Sequence, residues 1–160
     1  MSGQDYDYAI LFIGNPGTGK STMLNCLAGE KLFKSGQSYG KGMTYQLEEK
    51  IYNGYKYIDT PGLSDHKLRE EAGKAISTAL KAGGKHKIVF FIRVENGRAV
   101  AEDVSTMKLV LDAAPEIGQN YGIIIPRITA GVAKGLTKKE NWAEVYGGIF
   151  NDCKYELSYL

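Results

Sequence analysis

Apolar residues in this chain fall either in short continuous runs or at helical spacing, and the two kinds of segment take turns. Tyr8-Ala9-Ile10-Leu11-Phe12-Ile13 is a run of strand length, after which Met23, Leu24, Leu27 and Ala28 recur at helical spacing up to Gly29, a suitable helix stop. Residues 30 to 43 lose this periodicity, collect Ser35, Gly36, Ser38, Gly40 and Gly42, and read as a loop. Two strands are predicted next, over 44–52 and 55–59, because Asn53-Gly54 supplies the two positive-φ positions of a tight hairpin. Ser64 and Asp65 can cap a helix carrying Leu68, Ala72, Ala75, Ile76, Ala79 and Leu80 on one face and ending at Gly83-Gly84.

Further on, Ile88-Val89-Phe90-Phe91-Ile92 is the near-continuous apolar pattern of a strand covered on both sides. A helix over 99–114 would turn Val100, Val104, Met107, Leu111 and Ala114 inward, with Pro115 closing it. Residues 121–125 read as another buried strand. Thr137-Lys138-Lys139-Glu140 has capping-box spacing ahead of a helix with Trp142, Val145, Tyr146, Ile149 and Phe150 along one side, and Tyr155, Leu157 and Tyr159 alternate as a final edge strand would. This order predicts an α/β fold in three layers, with a mostly parallel sheet and one antiparallel edge strand.

Composition narrows the picture without changing it. A chain of 160 residues can bury the core of one domain, so 1–160 is expected to be a single domain. Its 20 Lys and Arg against 18 Asp and Glu leave a net charge of +2, too small to argue by field alone for a nucleic-acid or membrane partner, and none is predicted. The local cluster Lys81, Lys85, His86 and Lys87 reads as a solvated helix end. His66 and His86 have no metal-ligating companions, and Cys26 and Cys153 suggest no disulfide framework, which fits a reducing interior. The polar stretch Met1–Asp7 has no signal-peptide pattern and no apolar run reaches membrane-spanning length, so a cytoplasmic protein is expected.

The chemistry sits between the first strand and the first helix. Gly14-Asn15-Pro16-Gly17-Thr18-Gly19-Lys20-Ser21-Thr22 has the spacing of a phosphate-binding loop, in which backbone N–H groups surround phosphate oxygens, Lys20 reaches the terminal phosphates and the Ser21 hydroxyl binds magnesium. A helix starting there points its positive dipole end at the same anion. At the end of the second hairpin strand, Asp59-Thr60-Pro61-Gly62-Leu63 adds a carboxylate able to support magnesium and a glycine N–H able to meet a terminal phosphate.

With these motifs in order, the chain resembles the P-loop GTPases of the translation-factor and small-GTPase class. Gly14–Thr22 matches the first motif of that family, Thr44 the switch-one threonine and Asp59–Gly62 the switch-two motif; the Asp-Thr-Pro-Gly-Leu form is most similar to the septin, GIMAP and chloroplast-import-receptor branch. The resemblance implies a G-domain-like P-loop NTPase fold and a cradle of Asn15, Pro16, Gly17, Thr18, Gly19, Lys20, Ser21 and Thr22. It also implies magnesium held by Ser21, Thr44 and, through water, Asp59, with Gly62 donating to the γ-phosphate. It thins after residue 126. Where the family carries N/T-K-x-D, this chain reads Pro126-Arg127-Ile128-Thr129: Arg127 can stack on a base, but Thr129 is no charged acceptor for guanine.

Three functions follow. The first is magnesium-dependent binding and slow hydrolysis of a nucleoside triphosphate by a GTPase-like switch. The second is an ATP-binding ATPase or kinase-like protein, since G-x-P-G-T-G-K also resembles AAA+ loops, although no strand ending in Asp-Glu and no arginine-rich lid accompanies it. The third is a nucleotide-binding interaction module with little or no catalysis. Leu63 stands where many small GTPases orient water with glutamine, and Gly17 where other branches hold potassium with asparagine; Lys41, three residues before Thr44 where heterotrimeric G-protein α-subunits carry a built-in arginine, reads either as a solvated loop lysine or as an internal cation that offsets transition-state charge. Basal turnover on the order of 10⁻⁴ to 10⁻² s⁻¹ is expected, with acceleration by an unknown protein partner or by self-association.

Overall fold

The run Tyr8–Ile13 forms β1, the middle of a five-stranded sheet, because its residues are apolar on both faces and both faces are covered. The computed structural model describes residues 6–33, 48–60, 63, 66–81, 84–151, 153–155 and 157. Within them β2 (Glu48–Tyr52) and β3 (Tyr55–Asp59) form the expected antiparallel hairpin, with Asn53 at φ 48° and Gly54 at φ 76°; residues 44–47 of the expected first strand lie outside the described residues. The remaining sheet strands are β4 (His86–Phe91) and the edge strand Tyr121–Ile124, numbered β7 because a small hairpin, β5 (Val94–Glu95) and β6 (Arg98–Ala99), lies between them. The order is β2-β3-β1-β4-β7, parallel except for β2, with Leu11 of β1 level with Ile58 on one side and Ile88 on the other.

Among the described residues the helices are α1 (Lys20–Ala28), α2 (His66–Lys81), α3 (Ala101–Ala113), α4 (Ala130–Leu136) and α5 (Lys139–Phe150), with a 3-10 turn at Pro115–Ile117. Alternation along β1 divides the core in two. Ala9, Leu11 and Ile13 meet Ile76 of α2, Val104, Met107 and Leu111 of α3, and Val145, Ile149 and Phe150 of α5. Phe12 turns the other way, to Leu24 of α1, Phe33, Tyr57 and Phe91. This is the three-layer, mostly parallel architecture the residue pattern predicts.

Several local expectations are corrected. No final edge strand forms at Tyr155 and Leu157: the Tyr121 hydroxyl donates to the carbonyl of Tyr155 at 2.6 Å and the Tyr146 hydroxyl to that of Leu157, so side chains rather than a neighbouring strand take these carbonyls. Tyr159 lies outside the described residues. Thr137 does not open a capping box; it ends α4, its hydroxyl donating to the Lys134 carbonyl, and α5 begins after Lys138 without a side-chain cap. The cluster expected as a helix end is divided, since α2 stops at Lys81 while His86 and Lys87 begin β4. Leu27 of α1 is 56 % exposed although it shares the helical spacing of buried Leu24.

Candidate functional site

Parallel pairing brings the C-terminal ends of β1, β3, β4 and β7 to one sheet edge, the place where open α/β sheets bind ligands. The phosphate-type loop leaves β1 there and turns into α1 through Gly19, whose φ of 95° is open to glycine and strained for any other residue. Gly14 is fixed for another reason: a Cβ on it would stand 2.9 Å from the Cβ of Phe91, so only glycine lets the loop lie this close to β4.

Lys20 is 7 % exposed, and its ammonium donates to the carbonyls of Gly14 at 2.8 Å and Asn15 at 3.2 Å. Burial lowers its pKa, against the opposing pull of the Asp59 and Asp103 carboxylates. The Ser21 hydroxyl donates to Oδ2 of Asp59 at 2.6 Å, which joins the first turn of α1 to the end of β3. Thr60 ties the same strand end to β1, its hydroxyl donating to the Phe12 carbonyl at 2.8 Å. Oδ1 of Asp59 is buried with no hydrogen-bond partner among the described residues. Burial raises the pKa of this carboxyl, and the Ser21 bond and the Lys20 charge offset that only in part. A carboxylate oxygen with unused lone pairs beside a serine hydroxyl is a hard oxygen donor set, and it fits magnesium.

The structure thus brings Lys20, Ser21 and Asp59 together with the loop. Pro16, Gly17 and Thr22 lie exposed on its rim, and Thr18 is buried beneath it, its hydroxyl donating to the Asn15 carbonyl at 2.9 Å. The side chain of Asn15 faces inward to α3, away from the rim. Arg127 is exposed at φ 57°, and Thr129 caps α4, accepting from the Val132 N–H at 3.3 Å. Lys41, Thr44 and Gly62 lie outside the described residues.

Sequence reasoning missed the support behind the loop. Asn15 Nδ2 donates to Oδ1 of Asp103 at 2.8 Å, and the Thr106 hydroxyl donates to Oδ1 of Asn15 at 3.0 Å, across 88 and 91 residues of chain. Arg93 grips Asp103 with Nε at 2.8 Å and Nη2 at 2.9 Å, and its backbone N–H adds a third bond at 2.9 Å. The only trace in the sequence is a pair of polar residues on the inward side of α3. Burial alone would raise the Asp103 pKa, but the bonds from Arg93 and Asn15 outweigh it and hold this carboxyl below the ordinary carboxylate range. A depressed native pKa contributes stability above the unfolded-state value and loses it as pH falls through the native one. Asp103→Asn is therefore expected to cost about 2 kcal/mol at neutral pH, below the range for fully buried pairs because Arg93 is 26 % exposed, and to flatten the acid limb of the stability curve. Denaturant melts from pH 7 down to 3 check this; an unchanged acid limb would contradict it.

A glycine-bound loop at the end of a central parallel strand, with a lysine, a serine and a facing aspartate in one cluster, defines a P-loop nucleoside-triphosphate-binding domain. The chain belongs to the 50S ribosome-binding GTPase family, whose family model matches residues 9–120. It is therefore a P-loop GTPase domain, of a class that binds guanine nucleotide with magnesium and hydrolyses it as a molecular switch. Over 77 residues, 44% of this chain, it is 34% identical to small ribosomal subunit biogenesis GTPase RsgA 1 of Oceanobacillus iheyensis, and it spans 22% of that protein's length. Its fold is similar to that of the chloroplast translocon components atToc33 and psToc159, with a TM-score of 0.61 at 18% identity, covering 95% of this chain and 65% of that one. It is likewise similar to Toc33 from Arabidopsis thaliana in complex with GDP and magnesium, with a TM-score of 0.57 at 17% identity, covering 94% and 64% of the two chains. Among the described residues no helix is long and apolar enough to cross a membrane.

Proposed function

We propose that residues 14–22 cradle the phosphates of magnesium-bound GTP and that this one unit hydrolyses it slowly, as a switch whose state is read by a protein partner or a second copy. The observation that carries this reading is the cluster of buried Lys20 with half-buried Ser21 and Asp59, whose Oδ1 lacks a partner among the described residues. Lys20 contacts the β and γ phosphates, its ammonium keeping one N–H on the Asn15 carbonyl and turning the other two to these stronger, anionic acceptors. Ser21 and Asp59, with Thr44 in the triphosphate state, would hold magnesium, which when bound neutralises charge on the terminal phosphates. Gly62 donates its N–H to the γ-phosphate, and Lys41 is the internal candidate for offsetting charge on it. With Leu63 unable to orient water, hydrolysis by the isolated domain is slow and depends on a side chain brought from outside. Dimerization is important for the GTPase activity of atToc33 and psToc159, and this makes self-association one such route.

Base selection is weak in this reading, because exposed Arg127 offers a stacking plane while Thr129 already serves as a helix cap. Affinities for GTP and ATP, each measured with magnesium, test both parts. Binding of both with a GTP preference well below a thousandfold, about 4 kcal/mol, is expected. A full thousandfold preference would show that another residue supplies the guanine acceptor, and no magnesium-dependent binding of either would overturn the function.

A further inference from the structure

We propose that Asp103, held by Arg93, is a positioning residue for Lys20, acting through the side chain of Asn15 on the loop backbone; this rests on the reading of Lys20 as the phosphate ligand. The amide of Asn15 is fixed from both sides. Asp103 can only accept, so it faces Nδ2 at 2.8 Å, and the hydroxyl of Thr106 shares its one proton between Oδ1 at 3.0 Å and the Glu102 carbonyl at 3.0 Å. With the side chain fixed, the backbone of the same residue has little freedom to turn. Its carbonyl takes the ammonium of Lys20 at 3.2 Å, the hydroxyl of Thr18 at 2.9 Å and the Thr18 N–H at 3.3 Å.

Each link is buried, Asn15 and Thr106 to 1 % exposure and Asp103 to 2 %, so water cannot substitute for a lost bond without opening the packing. The anchor itself is tied at both ends, since the Arg93 guanidinium meets Asp103 as a two-pronged fork and the Arg93 backbone carbonyl closes the base of the β5–β6 hairpin, accepting from the Val100 N–H at 2.9 Å. Lys20 has a long and flexible stem, and a fixed backbone seat removes rotamer freedom that phosphate binding would otherwise have to remove. The carboxylate of Asp103 also attracts the Lys20 ammonium through space, but its directed contact with the site is through Asn15, whose carbonyl it keeps where the ammonium needs it.

The test is a set of double-mutant cycles on the whole chain, reading magnesium-GTP and magnesium-GDP affinity by competition with a fluorescent nucleotide, with circular dichroism confirming the fold. Asp103→Asn is expected to weaken both nucleotides about tenfold in the presence of Lys20 and by less than twofold in a Lys20→Met background. Thr106→Val, nearly isosteric, should reproduce part of the loss and Thr106→Ser should restore it; this pair carries the test if Asp103→Asn does not fold. Equal losses with and without Lys20 would show a purely structural tie and overturn the inference while leaving the phosphate site intact. Unchanged affinity in Lys20→Met alone would overturn the reading of the site, and the inference with it.

Discussion

Lys20→Ala is expected to lower magnesium-GTP affinity by about a hundredfold to a thousandfold or more, while the domain melts within about 1 kcal/mol of the parent stability. Two charge-assisted hydrogen bonds to phosphate at roughly 1.5–3 kcal/mol each account for the first effect. The second follows from a balance. The substitution leaves the Gly14 carbonyl without the donor it has at 2.8 Å, which costs stability, but it also removes an ammonium whose burial is unfavourable enough to lower its pKa. Alanine at the first position of α1 is no burden to the helix. Titration calorimetry and a thermal melt of the same preparation separate the two, and a variant that unfolds, or one that binds normally, would each contradict the assignment.

Asp59→Asn should move two measurements in opposite directions. The nucleotide-free domain is expected to gain stability at neutral pH, because a carboxyl whose native pKa is raised holds its proton more tightly folded than unfolded. Its contribution falls as pH rises from the ordinary carboxylate value through the raised one, and an amide does not titrate. The carbonyl oxygen of that amide would still accept the bond that Ser21 donates at 2.6 Å. The same change removes the anionic oxygen that has no partner among the described residues, so the part of the nucleotide affinity that depends on magnesium should fall at least about tenfold, ~1.4 kcal/mol. Melts without nucleotide, and titrations with magnesium against chelator, provide the readout. A variant less stable than the parent when empty, or with its magnesium dependence intact, would remove Asp59 from the proposed metal site.

Most of the sheet was legible because its signals are local. The Tyr8–Ile13 run, Asn53-Gly54 and the spacing of Gly14, Gly19, Lys20 and Ser21 each carry their own geometry. The β5–β6 hairpin could have been found in the same way, since Asn96 and Gly97 take φ 51° and 76°, as Asn53 and Gly54 do at 48° and 76°. Helix α4 left no such trace: none of its residues is buried, so no apolar stripe marks it, and the signal that remains is the cap at Thr129. The final strand was misread because Tyr155 and Leu157 alternate as strand residues do, while their carbonyls are taken by Tyr121 and Tyr146 from elsewhere in the chain. Asp103, Thr106 and Arg93 were beyond reach for a different reason. Asp103 and Thr106 read, as polar residues on a helix do, as its solvated side, and what turns them inward is Asn15 in a loop far upstream, with Arg93 closing on Asp103.

The division of the core bears on how the domain opens. One face of the sheet is sealed by residues from three helices, whereas on the other, among the described residues, α1 is the helix that covers Phe12, Tyr57 and Phe91. Among the described residues, opening that exposes amides is therefore expected first on the side roofed by α1, the helix whose first turn carries Lys20 and Ser21. A ligand gripping that turn pins the roof as well as filling a site. Deuterium uptake should record this as slowed exchange along α1 and the strand ends beneath it, with the amides within α2, α3 and α5 already protected in the empty protein.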